Sequence, residues 1–204
     1  MSVCKQLCVL LALVTFAGAA VAQTSNMKPE RIRGDIVSME GDILKVHRRS
    51  GDTASIEIKP DVTVSALKPI KLADIKAGSY VGVPALAGTD GKMTASAVLV
   101  FPEAARGANE GHFAYDFGSS STMTNANVDT VVTGANGRNL ALSYKGGNNT
   151  VTVPENVPVV TFAPATRADL VAGKKVVVVV TPGQQGIFEA HILFVEKDGV
   201  VPPL

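Results

Sequence analysis

Hydrophobic and polar residues alternate along much of this chain. Leu44 and Val46 alternate with Lys45 and His47, and Ile56 and Ile58 with Glu57 and Lys59, which is the period of a half-buried strand with one face in a core. Turn signals separate such runs: "MEGD" at Met39, "RSGD" at Arg49, "TDGK" at Thr89, "GANGR" at Gly134 and "KGGNN" at Lys145. Their glycines and short polar residues reverse the chain. "KKVVVVVTP" from Lys174 is of strand length, bounded by charge and proline. Only "LADIKAG" from Leu72 and "RADLVAG" from Arg167 read as short helical turns, each closing on a glycine as a helix end does.

These two turns belong to a longer correspondence. "LADIKAGSYVGV" from Leu72 lines up with "RADLVAGKKVVV" from Arg167, about 95 residues later. Upstream, "DVTV" from Asp61 matches "NVPV" from Asn156, and Ile56 and Ile58 match Val151 and Val153. Downstream, "ASAVLVF" from Ala95 matches "EAHILFV" from Glu189. Each copy predicts three strands, a short helical connection and two more strands, the order of an OB-like Greek-key barrel; a pair of β-sandwich halves sharing one core is the alternative. The expected fold is therefore all-β: two similar small OB-like five-stranded barrels from an internal duplication, joined by an extended connector. Residues 31–103 would form the first barrel, 104–127 the connector, 128–199 the second barrel and 200–204 a tail.

The first 22 residues have the layout of a secretory signal: Lys5, the apolar "LCVLLALVTF", and Ala20-Val21-Ala22 at the cleavage point. The expected product starts at Gln23 and is free in the periplasm. The apolar run from Leu7 to Ala22 is shorter than the ~20 residues a spanning helix needs, and no later run is long enough, so a membrane-embedded role is not expected. Both cysteines, Cys4 and Cys8, fall inside the signal. The exported chain would then hold no thiol for disulfide, thiolate–metal or cysteine-nucleophile chemistry, and its hydrophobic core alone would carry stability. Without Lys5, 18 basic residues face 18 acidic ones, a balance that points to neither nucleic acid nor an anionic membrane.

The segments "RGANEGHFAYDFGSSSTMTNANV", "LSYKGGNNTVTVPENVPVVTF" and the tail "EKDGVVPPL", together with the "LADIKAG" repeat, resemble a family of uncharacterised proteobacterial periplasmic proteins. The resemblance runs from about Arg31 to Leu204 and implies tandem small β-barrel domains of unknown function. Members are sometimes named metal ABC transporter permeases. A permease must cross the membrane repeatedly, and nothing in this chain has the length and apolarity to do so.

Candidate chemistry concentrates in "NEGHFAYDFGSSSTMTNANV", residues 109–128. In an extended segment Phe113, Tyr115 and Phe117 share one face, with His112, Ala114 and Asp116 on the other. The three rings would either hold an inter-repeat strap onto a hydrophobic seam or form a platform that stacks a sugar or base. Glu110, His112 and Asp116 offer an oxygen, a nitrogen and an oxygen to one divalent cation, and His191 would join them if the connector folded back beside the last strand. His47 has the parity of a solvated strand face. "NANVD" begins like a calcium loop but carries Thr130 where the glycine belongs and Asn136 where the final glutamate belongs. "GSSS" beside His112 and Asp116 lacks a strand-to-helix elbow and a separated base. Arg48-Arg49 and Lys174-Lys175 read as solvated edge charges.

The function expected first is a non-enzymatic periplasmic binding or scaffolding protein of the cell envelope, with no cofactor, whose partner is an envelope protein, a glycan or a small ligand. Any ligand would lie around Glu110 to Phe117. The alternative is a periplasmic metal-binding or metal-handling protein using Glu110, His112, Asp116 and His191. A hydrolase ranks third.

Overall fold

In the computed structural model, which describes residues 28–134 and 137–204, the alternating runs become strands of one continuous sheet. The signal segment 1–22, with Cys4 and Cys8, lies outside the described residues. In chain order the first half holds β1 (Glu30–Glu40), β2 (Ile43–Arg48), β3 (Thr53–Glu57), β4 (Val64–Pro69), β5 (Tyr80–Ala87), β6 (Met93–Ala95) and β7 (Val98–Val100). The second half holds β8 (Gly111–Ala114), β9 (Ser121–Gly134), β10 (Gly137–Tyr144), β11 (Gly147–Thr152), β12 (Val159–Pro164), β13 (Lys175–Pro182) and β14 (Phe188–Val195). The two expected helical turns are single 3-10 turns, Leu72–Asp74 and Arg167–Asp169. In each the third residue, Asp74 or Asp169, takes the cap residue's backbone N–H on its carboxylate, which satisfies a donor that the turn leaves free.

Pairing closes the strands into rings. β1, β2, β3, β14 and β13 form a closed five-stranded barrel, completed by the β13–β1 and β13–β14 pairings. β5, β6, β11, β10 and β9 form a second ring, completed by β5–β9. Alternation fills both interiors. Ile32 and Ile36, Leu44 and Val46, Ala54 and Ile56 meet Val176, Val178 and Val180 in the first. Val81 and Val83, Ala126 and Val128, Leu140 and Leu142 meet Val151 in the second. β1 bulges at Val37 and β9 at Asp129, each opposite the following strand. At Gly34, between the inward Ile32 and Ile36, a Cβ would stand 2.0 Å from the His47 carbonyl oxygen, so only glycine lets β2 approach there.

Each ring draws on both halves of the chain. β1–β3 close with β13 and β14, while β9–β11 close with β5 and β6. The boundaries expected at 31–103 and 128–199 do not outline these rings, because β3 pairs with β14 through Ile56 and Phe188 rather than with β6 or β7. Residues 121–127, inside the expected connector, are the first half of β9 and pair with β5. Between the rings β4 and β12 run antiparallel, with Leu67 opposite Phe162, and each also pairs in parallel, β4 with β14 and β12 with β7. A third hydrophobic cluster sits at this junction: Leu67, Leu99, Val160, Phe194 and Leu204, with Phe101, Phe162 and Val200 packed on it. Among the described residues no helix is long and apolar enough to cross a membrane.

Candidate functional site

The junction cluster forms the floor of a groove, and the central segment forms one wall. Tyr80, Phe101, Phe162 and Phe194 make a chain of ring contacts with centroids 5.4, 5.6 and 5.3 Å apart. Above it lies a cavity of about 630 Å3, within the range of small-molecule sites. Leu99, Phe101, Phe162 and Phe194 line its floor, Phe113, Tyr115 and Met123 one side, and Val177, Val179 and Ile192 the other. Polar side chains are the minority: Arg31, Thr63, Ser65, Asn109, Asn125 and His191. Phe113 is 37% exposed and Ile192 43% exposed, so the groove leaves two large apolar side chains facing solvent. At Gly82 a Cβ would meet the Asn125 oxygen at 2.9 Å and the Phe101 ring at 3.0 Å. Glycine therefore lets those two side chains lie flat against β5.

The central segment is held by side chains on several elements. Arg106 donates to Glu103 at 2.5 and 2.7 Å, to Asn127 Oδ1 at 2.7 Å and to the Gly78 carbonyl at 2.8 Å. The Asn125 amide donates to the Asn109 carbonyl at 3.0 Å. β8 then pairs with β9, His112 opposite Thr124 and Phe113 opposite Met123. After β8 the chain turns back: the Ser121 hydroxyl accepts the Phe117 N–H at 3.0 Å and lies 2.7 Å from the Tyr115 carbonyl oxygen.

On the first barrel, Arg31 and Arg33 leave β1 on the face opposite Ile32 and Gly34. The Arg31 guanidinium lies 4.5 Å from the Tyr115 ring centroid and that of Arg33 lies 4.8 Å from Phe117, close enough for cation–π attraction. Arg33 also donates to both Asp116 oxygens, to the Leu204 backbone oxygen at 2.6 Å and to the Tyr115 hydroxyl at 3.3 Å. Burial disfavours the Arg33 charge, but hydrogen bonding to Asp116 and the Asp116 charge, with the Tyr115 hydroxyl as a further acceptor, outweigh it and raise its pKa. Burial likewise works against the Asp116 carboxylate, yet Arg33, with help from Arg31, keeps its pKa below the ordinary value. Burial pushes the Tyr115 hydroxyl up, so it stays neutral.

The three aromatics divide. Phe113 and Tyr115 line the groove together, Tyr115 buried and Phe113 open. Phe117 meets the edge of Tyr115 at 4.8 Å but lines a separate cavity with Arg33. β8 ends at Ala114 and the turn closed by Ser121 carries Phe117 away from the groove. The four residues expected around a cation are not brought together. Glu110 accepts the Lys145 N–H at 2.9 Å, and His112 Nδ1 lies 2.9 Å from both Thr124 Oγ1 and the Asn149 amide. Asp116 is taken by Arg33, and His191 Nε2 lies 2.9 Å from Thr181 Oγ1. Among the described residues no group of three or more His, Cys, Asp or Glu side chains is placed to hold a metal. His191 does reach the groove of Phe113 and Tyr115, so the connector folds back beside the last strand without bringing His112 to it.

Sequence reasoning passed over Arg31 and Arg33 and read Arg48-Arg49 as edge charges. The signal was the parity of β1, which puts Arg31 and Arg33 on one outward face. A scan against protein-family models finds no match, and no curated protein and no solved structure matches the chain.

Proposed function

We propose that the protein is a non-enzymatic binding protein of the bacterial cell envelope that holds a small amphiphile in the groove between its two rings. The observation that carries this is the groove itself: about 630 Å3 of mostly aromatic and aliphatic lining, with a minority of polar side chains, Arg31, Thr63, Ser65, Asn109, Asn125 and His191, among its walls. Such a lining favours an apolar body, and a few convergent polar groups orient one end of it. Exposed apolar surface of this kind costs free energy in water unless something covers it. Of the partner classes expected, a small ligand fits this concavity better than a glycan, which would need more hydrogen-bonding groups than the floor supplies.

The ring order β1-β2-β3-β14-β13 is matched by β9-β10-β11-β6-β5, and both bulge at the corresponding point of their first strand. We infer two OB-like units from an ancient duplication that exchanged their last two strands, with Leu67 and Phe162 facing each other at the approximate two-fold axis. The exchange would itself create the groove, since the crossing strands β4, β7 and β12 leave a floor between the rings. Export by a signal over residues 1–22 and a periplasmic address are part of the same proposal.

The test is binding of N-phenyl-1-naphthylamine, a neutral probe that fluoresces in apolar surroundings. Saturable enhancement is expected, weakened about thirtyfold by Phe113→Ser with Ile192→Ser, because each removes roughly 1 kcal/mol of apolar contact. Both side chains are partly exposed, so the variant should stay folded with only a modest loss of thermal stability. No saturable binding, or binding indifferent to both substitutions, would reject the groove as the ligand site.

A further inference from the structure

A second cavity stands on the other side of the Tyr115–Phe117 segment, and arginines dominate it. Arg31 and Arg33 reach it from β1, Arg48, Arg49 and Ser50 from the end of β2 and the turn after it, and Asp116 and Phe117 from the central segment; its volume is about 620 Å3. Asp116 is the one carboxylate on its wall, and Arg33 already holds both its oxygens. Among the described residues, Arg31 and Arg49 have no carboxylate within ion-pair distance. Arg48 Nε lies 3.3 Å from Asp52, yet this buried atom makes no hydrogen bond.

The arrangement is built rather than incidental. The Arg31 guanidinium is seated on Tyr115 at 4.5 Å, that of Arg48 on Phe188 at 4.8 Å, and Arg33 is fixed by its pair with Asp116. Guanidinium groups held this way around one space repel each other and have lost the freedom that a solvated arginine would use to move apart. An anion entering the space relieves the repulsion, and planar N–H forks match the paired oxygens of a phosphate. Little ordering remains to be done when it binds.

Arg31 lines both this cavity and the apolar groove. A single ligand with an apolar body in the groove and an anionic head among the arginines would therefore meet Arg31 at the point where the two parts join.

We propose that the arginine cavity binds the phosphate group of a phosphorylated amphiphile, with Arg31, Arg48 and Arg49 as its donors. The placement of the apolar body rests on the groove as the ligand site; the phosphate site stands on the arginines alone.

Three probes separate the parts by titration calorimetry or fluorescence at low salt. Inorganic pyrophosphate tests the head alone, N-phenyl-1-naphthylamine the groove alone, and monomeric dihexanoyl phosphatidic acid the two together. Pyrophosphate is expected to bind, to weaken as salt rises, and to lose about tenfold or more in Arg49→Gln and in Arg31→Gln, with naphthylamine binding unchanged in Arg49→Gln. Arg49 is exposed, so that variant tests binding without threatening the fold. Arg31→Lys should recover only part of the loss, since it keeps the charge and removes the fork. Phosphatidic acid should bind more tightly than pyrophosphate, and Phe113→Ser should remove that advantage. Failure of pyrophosphate to bind, or binding indifferent to both arginines, overturns the phosphate site even if naphthylamine binds. Pyrophosphate binding with no added affinity for phosphatidic acid overturns the amphiphile and leaves free phosphate as the source. Loss of naphthylamine binding alone overturns the groove while the phosphate site stands.

Discussion

Arg33 donates through Nη1 and Nη2 to the two carboxylate oxygens of Asp116 at 2.7 and 2.8 Å, a parallel pair of charge-assisted bonds that spans 83 residues of sequence. The pair ties the central segment to β1 of the first barrel, while β8 ties the same segment to β9 of the second ring. The same guanidinium reaches the Leu204 backbone oxygen, so one side chain fastens two segments.

The two ends of that contact should not be equivalent. Arg33 is 13% exposed and has three separate acceptors, whereas Asp116 is 40% exposed. Arg33→Met is expected to cost about 2–3 kcal/mol, because it strands buried acceptors. Asp116→Asn should cost about 1 kcal/mol or less after solvent screening. Urea denaturation measures both, and amide exchange across residues 111–117 should quicken in each. Equal costs would mean that Arg33 acts through Asp116 alone.

The pair also sets an acid limit. Asp116 has a folded pKa below its ordinary 3.8, so the folded state binds that proton less readily than the unfolded chain. Its stabilisation is complete above the unfolded value and is lost as pH falls through the lower folded one. The stability difference between the wild-type protein and Asp116→Asn should therefore be flat from about pH 5 to 8 and shrink below about pH 4. A difference that grew as the pH fell would reverse the assigned sign.

Adjacent aromatics on the central segment should respond differently to truncation. Tyr115 is 7% exposed, with Arg31 over its ring, so Tyr115→Ala should cost about 3–5 kcal/mol. Phe113, at 37% exposure, should cost less than about 1.5 kcal/mol as alanine but weaken naphthylamine binding. Matching stability losses would make both residues part of a strap with no site.

Much of the fold was legible one strand at a time. The alternation at Leu44, Val46, Ile56 and Ile58 marked side chains that are fully buried, because a strand's period is a local property. Which strands would close each ring was not legible. Two similar sets of strands offer equivalent edges, and nothing local tells Ile56 to lie opposite Phe188, which stands far along the chain. The start of β9 was hidden for another reason: "STMTNAN" is polar, yet Thr124 and Asn125 are buried between β5 and β8 and find partners in His112 and Asn109. The arginine cavity depends on the meeting of β1 with the turn after β2 and with a segment from the second half. Parity placed Arg31 and Arg33 on one face but not what they would meet.

Divalent cations provide a direct check on the four residues that the sequence offers to a cation. Glu110, His112, Asp116 and His191 each have a different partner, and a cation would have to break several of those contacts to collect them. Zinc, copper, nickel, manganese and calcium, added after chelator treatment to untagged protein, are expected to give no selective rise in melting temperature. Native-state binding at a hundredfold excess over Kd would stabilise by about 2.7 kcal/mol, which such a scan detects. A selective rise abolished by His112→Ala would restore the metal reading.

The shared rings make a stronger prediction about how the chain folds. Residues 28–103 contain β1–β3 but not β13 or β14, so this fragment has a strand set whose open edges at β1 and β3 lack their partners. Residues 104–204 are in the reciprocal position, with β9–β11 present and β5 and β6 missing. Two outcomes follow from different physics. If the partner strands are needed, each fragment alone should show no cooperative thermal transition, and mixing the two should restore one, since complementation pairs β1 with β13 and β9 with β5 again. If instead each fragment folds alone, with β5 and β6 turning back to close on β1 and β3, the exchange is a choice between two similarly stable pairings rather than a requirement. Circular dichroism with melting of the separate and mixed fragments distinguishes these, and the first outcome is expected. Leu67→Ala supplies the companion measurement in the intact chain. Leu67 is 2% exposed and lies opposite Phe162 where the halves cross, so its truncation should cost about 2–5 kcal/mol and lower one transition for both rings together. Two separated transitions would mean that the crossing strands do not couple them.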